Sequence, residues 1–278
     1  MGSGSDGPDG LAQAGQSMSG SCDYVRLDHD GGAIATVVID RPAKRNALDR
    51  SGWAALGEIF SFLSGQSSLR SVILTGVPGA FCAGDDISAF AAVGNDPQLR
   101  QEYWDTIMSC YEAVGTLPVP VIAAIDGPCI GGGCTLALRA DFRIAGRNAY
   151  FAVPPARLGL VYPAQSSALL AQAAGDQLAR YMLYSGGRVP AEQAASAGLA
   201  IHAEVAIDRA RDLAAEFVHS APMSVHGAKI ALNATRTGTL PEVASQIKQL
   251  SLEAERSRDR QEGLQAFAEK RLPRFTGG

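Results

Sequence analysis

Two glycine-bearing stretches carry the residues best suited to chemistry. "LTGVPGAFCAGDDIS" (74–88) and "AAIDGPCIGGGCTLALRAD" (123–141) each read as an apolar strand, a tight turn of small residues, then a polar or helical start. Such turns expose backbone N–H groups, and at a helix N-terminus those donors sit at the positive end of the dipole. Two of them facing each other would cradle the negative oxygen that develops on a thioester or ester carbonyl. The side chains with chemical capacity nearby are Asp85, Asp86, Thr135 and Tyr162, the last in "FAVPPARLGLVYP" (151–163). Taken alone, each turn is a weak signal, because glycines at 131–133 also serve close helix packing.

Other chemistries find less support. Neither GxxxxGK[ST] nor a strand followed by GxGxxG occurs, so the usual phosphate-binding loops are excluded. His29, His202, His219 and His226 lack ligand-like spacing, so no metal is expected. A net charge of −4 and the absence of basic runs argue against nucleic acid, and an anionic ligand must be met by local cations. No apolar run of about 18 residues could span a bilayer. Five cysteines without CxxC spacing, and no signal peptide, point to a reducing cytoplasm.

The elements that must position these residues are legible in outline. At 278 residues the chain suits one large domain or a core with an appendage. Residues 1–20, rich in Gly, Ser and Asp, read as a disordered tail, with folding beginning near Cys22. "DYVRLDHDGGAIATVVID" predicts a hairpin across an Asp-Gly turn, and "SVILTG" and "VPVIAAID" predict buried strands. Helices are predicted over "SGWAALGEIFSFLSG", with a serine ahead of its first turn, over "QLRQEYWDTIMSCYEAVGTL", and from Gly131. Strands alternating with helices predict an α/β architecture over residues 21–220. After residue 220 three helical candidates follow without a strand, a C-terminal helical region (221–278) suited to packing on a partner subunit.

Six ordered motifs add a resemblance. "RPAKRNALD" (41–49), "GAFCAGDDI" (79–87), "DGPCIGGGCTLAL" (126–138), "ADFRIAGRNAYFAVPPARLGLV" (140–161), "SGGRVPAEQAASAGL" (185–199) and "EGLQAFAEKRLPRF" (262–275) together resemble the enoyl-CoA hydratase/isomerase, or crotonase, superfamily. The resemblance implies a crotonase-like spiral of ββα turns, a C-terminal helical trimerisation region, and a homotrimer or homohexamer. It implies an acyl-CoA substrate, with coenzyme A as part of that substrate and no separate cofactor. The thioester oxygen would be held by the N–H groups of Asp85 and Gly132. Lys44, Arg45, Ala47, Ala83, Asp86, Ile87 and Lys270 would lie along the CoA, and Pro155, Tyr103 and, more weakly, Glu102 along the acyl pocket. Ser88 stands where relatives often keep a lysine. Asp141 and Arg143 are expected to join strand to helix.

By the same resemblance, hydratases of this superfamily hold water between two glutamates, at the positions of Thr135 and Pro155. Neither residue here can ionise near neutral pH. General acid and base assistance is worth roughly 10²- to 10⁴-fold each, while each oxyanion donor lowers the barrier by about 3 kcal/mol. Hydration is therefore disfavoured relative to reactions that need mainly an enolate: decarboxylation first, then double-bond isomerisation. Methylmalonyl-CoA decarboxylases of the superfamily place a tyrosine on the substrate carboxylate at the position of Tyr162, but a histidine at that of Asp85. An aspartate there would repel a carboxylate or act as a base. A hydratase with unusual residues, an acyl-CoA hydrolase and a non-catalytic CoA binder remain the alternatives.

Overall fold

The computed structural model describes residues 22–278 together with the backbone of Met18–Ser19. The hairpin forms as expected: β2 (Val25–Asp28) and β3 (Ile34–Ile39) pair antiparallel, Val25 opposite Ile39. A short strand, β1 (Met18–Ser19), adds antiparallel to β2 with Met18 opposite Leu27. Order thus begins before Cys22, a correction to the expected tail, because the β2 edge offers unpaired backbone groups. The rest of that tail lies outside the described residues.

Helix α1 (Arg50–Ser64) is started by Asp49, whose carboxylate accepts from Gly52 N at 3.1 Å and from Ser51 Oγ at 2.6 Å. The cap is thus the aspartate, and Ser51 lies inside the first turn. There follow β4 (Ser71–Gly76), α2 (Ile87–Ala92), α3 (Pro97–Thr116), β5 (Val121–Ile125), β6 (Pro128–Ile130), α4 (Gly132–Arg139), β7 (Phe142–Ala145) and β8 (Tyr150–Ala152). Next come α5 (Pro155–Leu158), α6 (Ala164–Ala174), α7 (Asp176–Ser185), β9 (Val189–Pro190), α8 (Ala191–Ser196), β10 (Ile201–His202) and α9 (Ala206–Phe217). Helices α6 to α9 lie outside the elements predicted from sequence; of these, "AQSSALLAQAA" in α6 carries little amphipathic contrast.

The main sheet runs β1-β2-β3-β4-β5-β7-β10, parallel from β3 onward. It is covered on both faces, which explains the unbroken apolar strands. On one face Ile73, Ile122 and Ile144 meet Ala206, Ala210 and Leu213 of α9. On the other, Val72, Leu74, Val121 and Ala123 join Trp53, Leu56, Ile59 and Phe60 of α1 and Ile107 of α3 in the principal core. A second sheet, β6-β8-β9, sits at the carboxyl ends of β4 and β5. An isolated bridge between Cys82 and Cys129 ties the loop after β4 to β6. Together with the helices this is the α/β architecture expected.

Three helices close the chain: α10 (Pro222–Thr237), α11 (Leu240–Glu255) and α12 (Arg258–Glu269). The first of them is anchored to the core. Lys229, 7% exposed, donates to Asp141 Oδ2 at 2.7 Å and to Val119 O at 3.0 Å, while Asp141 also accepts from Val121 N at 2.7 Å. Asp141 and Arg143 are structural, as expected: Arg143 donates to Ala140 O at 2.9 Å and Leu199 O at 2.7 Å. Breaking a buried pair by removing one partner leaves an uncompensated charge. Lys229→Met should therefore lower stability by about 2–4 kcal/mol in chemical denaturation at neutral pH, and adding Asp141→Asn should restore part of the loss.

Candidate active site

The site forms where the loops after β3, β4 and β5 converge. The segment 41–49 is folded by two consecutive left-handed residues, Arg45 (φ 52) and Asn46 (φ 59). Asn46 is buried and stabilises this turn, its Nδ2 donating to Ala80 O at 2.7 Å and its Oδ1 accepting from Arg41 N at 2.8 Å. The segment then runs beside residues 83–86: Ala83 N donates to Arg45 O, Leu48 N to Gly84 O, and Asp86 N to Leu48 O. Lys44, Arg45, Ala47, Ala83, Asp86 and Ile87 are thereby brought together. Lys270 is not joined to them by any described hydrogen bond or ion pair; it ends α12 in a left-handed conformation.

Asp86 is also engaged within the protein itself. Its carboxylate, 6% exposed, caps α2 by accepting from Ser88 N at 3.1 Å, takes the Ser88 hydroxyl at 2.5 Å, and pairs with Arg41 at 3.0 Å and Lys44 at 3.6 Å. The serine and helix-start donors, reinforced by both cations, hold its pKa below the ordinary carboxylate range. Ser88, in place of a lysine, thus completes the cap, and Lys44 and Arg45 are exposed cations on this rim.

Glycines bring the two turns into contact. A Cβ on Gly84 (φ +88) would lie 2.9 Å from Gly132 N and 2.7 Å from Ile130 O, and one on Gly133 would lie 2.2 Å from Cys82 O. No side chain fits at either point. In the extended run at 84–86, Gly84 O and Asp86 N both point to Leu48. Backbone groups alternate along such a run, so the Asp85 N–H points the other way, towards the Gly132 turn. Gly132 opens α4 and has no intrahelical acceptor for its N–H.

The peptide between Gly131 and Gly132 is held from behind. Gly131 O accepts from Thr135 N at 3.0 Å and from Tyr162 Oη at 2.9 Å, and Thr135 Oγ1 lies 2.5 Å from Tyr162 Oη. Tyr162 has one hydroxyl hydrogen, and the carbonyl can only accept, so Thr135 donates to Tyr162. A trans peptide directs its N–H opposite to its C=O. The Tyr162 hydroxyl therefore lies on the carbonyl side of the turn, with its proton already committed. In this arrangement the hydroxyl is bonded to the turn itself. Thr135 likewise bonds across to Tyr162 rather than back to its own helix.

Asp85 is the titratable group at this junction. Trp53 Nε1 donates to its Oδ1 at 3.0 Å, and a Cβ at Gly132 would fall 2.9 Å from its Oδ2 and 3.2 Å from the Tyr111 hydroxyl. Burial raises its pKa to about 6, against the opposing pull of the indole and of its own backbone N–H. Trp53 and Tyr111 were legible only as apolar positions on helices. The available clue was chemical, since a buried indole or phenol has one polar atom that must find a partner. Trp53 meets Tyr111 edge-on at 5.4 Å, and Tyr111 donates to Gly132 O at 2.9 Å.

Tyr103 is buried, with Phe90 edge-on at 5.2 Å, and its hydroxyl has no partner. Glu102 instead faces solvent and pairs with Arg50 at 3.3 Å. Pro155 is buried in the first turn of α5, between β8 and Tyr162. Its ring occupies the place of an ionisable side chain.

Comparison with known proteins agrees with this geometry. The sequence profile described as enoyl-CoA hydratase/isomerase matches residues 29–278. A Mycobacterium bovis protein named "Probable enoyl-CoA hydratase echA6" is 35% identical over 247 residues, covering 88% of this chain and 96% of that protein. The mouse mitochondrial methylglutaconyl-CoA hydratase is 31% identical over 264 residues, 90% of this chain and 82% of its own. A crystal structure of an enoyl-CoA hydratase/carnithine racemase from Magnetospirillum magneticum superposes with a TM-score of 0.85 at 30% identity, covering 94% of this chain and 98% of that one. With a half-buried carboxyl where two glycine turns meet, and relatives alike along nearly their whole length, the chain belongs to the enoyl-CoA hydratase/isomerase family of the crotonase superfamily.

Proposed function

We propose that the protein moves a proton on an acyl-CoA thioester, shifting a double bond from the 3,4 to the 2,3 position, with Asp85 as the single base. The observation that carries this reading is the half-buried Asp85 carboxyl, with a pKa raised to about 6, against the Gly132 turn. A base titrating near the working pH is the most effective at proton transfer. Asp85 takes a proton from Cα, the electrons pass to the thioester oxygen, and the N–H groups of Asp85 and Gly132 stabilise the resulting charge. The same carboxyl returns the proton at Cγ. No proton is gained or lost overall, so one base suffices and neither missing glutamate is needed.

Charge favours this over decarboxylation. In the proton transfer Asp85 is neutralised in the step that makes the oxygen negative, so the site holds one negative charge throughout. A malonyl-type substrate would set a second carboxylate beside Asp85, and the Tyr162 proton that would greet it is committed to Gly131 O. Hydration, the activity in the names of several relatives, would use Asp85 as its only acid–base group.

Lys44, Arg45 and Lys270 are proposed to meet the nucleotide phosphates, and the segment 83–87 to run along the pantetheine. Burial of Trp53, Tyr103 and Tyr111 supports a short acyl group. The apolar side chains left exposed on the terminal helices, including Phe267 at 87% and Leu232 at 71%, support a homotrimer or homohexamer. Among the described residues no helix is long and apolar enough to cross a membrane, and we place the enzyme in the cytoplasm.

A 3-enoyl-CoA should be converted to its 2-enoyl isomer, with kcat/KM rising as pH passes through about 6 and levelling above it, because the base form is required. Asp85→Asn should cost roughly 10²- to 10⁴-fold in kcat; retention of full activity, or turnover of malonyl thioesters alone, would sink the proposal. Trp53→Phe removes a bond that favours ionised Asp85, so the rising limb should move to higher pH. Stability should respond in the opposite sense to activity. A carboxyl whose folded pKa is raised binds its proton more tightly when folded, so stability declines as pH rises from about 4 to about 6 and stays lower at neutrality. Asp85→Asn should then gain on the order of 1–2 kcal/mol at pH 7, discounted for partial exposure, measured by thermal or chemical denaturation.

A further inference from the structure

We infer that Thr135 and Tyr162 are positioning residues that polarise the Gly132 N–H through the peptide behind it. The inference rests on the reading that this N–H holds the thioester oxygen, and it goes beyond that reading by assigning the two side chains that stand where hydratases keep an acid or lie just past one. The chain of donors is continuous: Thr135 Oγ–H to Tyr162 Oη, Tyr162 Oη–H to Gly131 O, and then, across one peptide unit, the Gly132 N–H. Donation to a peptide carbonyl draws electrons towards oxygen and leaves the N–H of the same unit more positive, and consecutive bonds in such a chain strengthen one another.

The surroundings favour this effect. Thr135 and Tyr111 are buried and Tyr162 is half-buried, so little water competes for the carbonyl. The peptide cannot rotate to escape the bond, because Gly131 N is tied to Ala152 O at 2.8 Å and Gly131 O also accepts the Thr135 N–H. Tyr162 follows the exposed segment from Leu158 to Val161, whose apolar side chains make no claim on it. What fixes the ring is the hydroxyl pair and packing against the principal core. Burial also keeps the Tyr162 hydroxyl protonated, raising its pKa, so it remains a donor across the working range.

The test uses acetoacetyl-CoA, whose acidic Cα–H ionises to an enolate with a distinct near-ultraviolet absorption; the proton goes to the buffer and the charge to the thioester oxygen. The full-length protein should shift the bound ligand towards its enolate. Tyr162→Phe should reduce the bound enolate-to-keto ratio about three- to tenfold, and Thr135→Val by less, with affinity for free CoA unchanged. Replacing Tyr162 with 3,5-difluorotyrosine, a stronger donor of nearly the same shape, should raise the ratio above wild type. A purely structural tyrosine would not order the three variants by donor strength. If the wild type forms no enolate band, the reading of the oxyanion site fails and the inference with it. If the wild type forms the band but its size is indifferent to the residue at 162, only the inference is overturned.

Discussion

The contact between two glycine turns is the constraint on which the site depends. A Cβ on Gly84 would run into Ile130 O and Gly132 N, and Gly133 is pressed in the same way against Cys82 O. This brings two strand-end loops, about fifty residues apart in sequence, within one cleft and turns their N–H groups to a common side. The main sheet makes the approach possible, since β4 and β5 are adjacent and parallel and deliver both loops at the same edge. Ligands of open α/β sheets bind at such carboxyl ends for the same geometric reason.

Around that contact several polar groups are buried against a partner, the Tyr103 hydroxyl being an exception among the described residues. Asn46 holds the left-handed turn before α1, Asp86 caps α2 while holding Arg41 and Lys44, and Trp53 and Tyr111 clasp the Gly132 turn from beneath. Buried polar groups left alone are costly, so each bond restricts the conformations open to its loop. The result is a rigid pair of donors with one carboxyl of raised pKa beside them. Such preorganisation costs stability at Asp85, in keeping with the general exchange between stability and activity at working sites.

Two positions beside the Gly132 turn carry no ionisable side chain. Thr135 keeps its place on α4, and Pro155 starts α5 with the fixed φ that a first helical turn tolerates. Neither supplies an acid. The hydroxyl at 135 reaches the phenol at 162 instead, so the polar capacity of the site moves to the rear of the Gly131–Gly132 peptide. On the other side, the half-buried Asp85 carboxyl, its pKa raised to about 6, lies against the Gly132 turn.

Sequence alone determined the α/β architecture, the hairpin, the two glycine turns, the family, and the absence of both glutamates. These are local properties, carried by strand patterns, turn residues and motif spacing. It also singled out Asp85, Asp86 and Tyr162, but not their hydrogen-bond and ion-pair partners. Their roles turn on where a hydroxyl or carboxylate points, which is set by neighbours distant in sequence: Gly131 and Thr135 for Tyr162, Arg41 and Lys44 for Asp86. The partnership of Trp53 with Asp85 was likewise decided by tertiary structure, because an indole on an apolar helix face reads as core until the chain brings a carboxylate to its one polar atom.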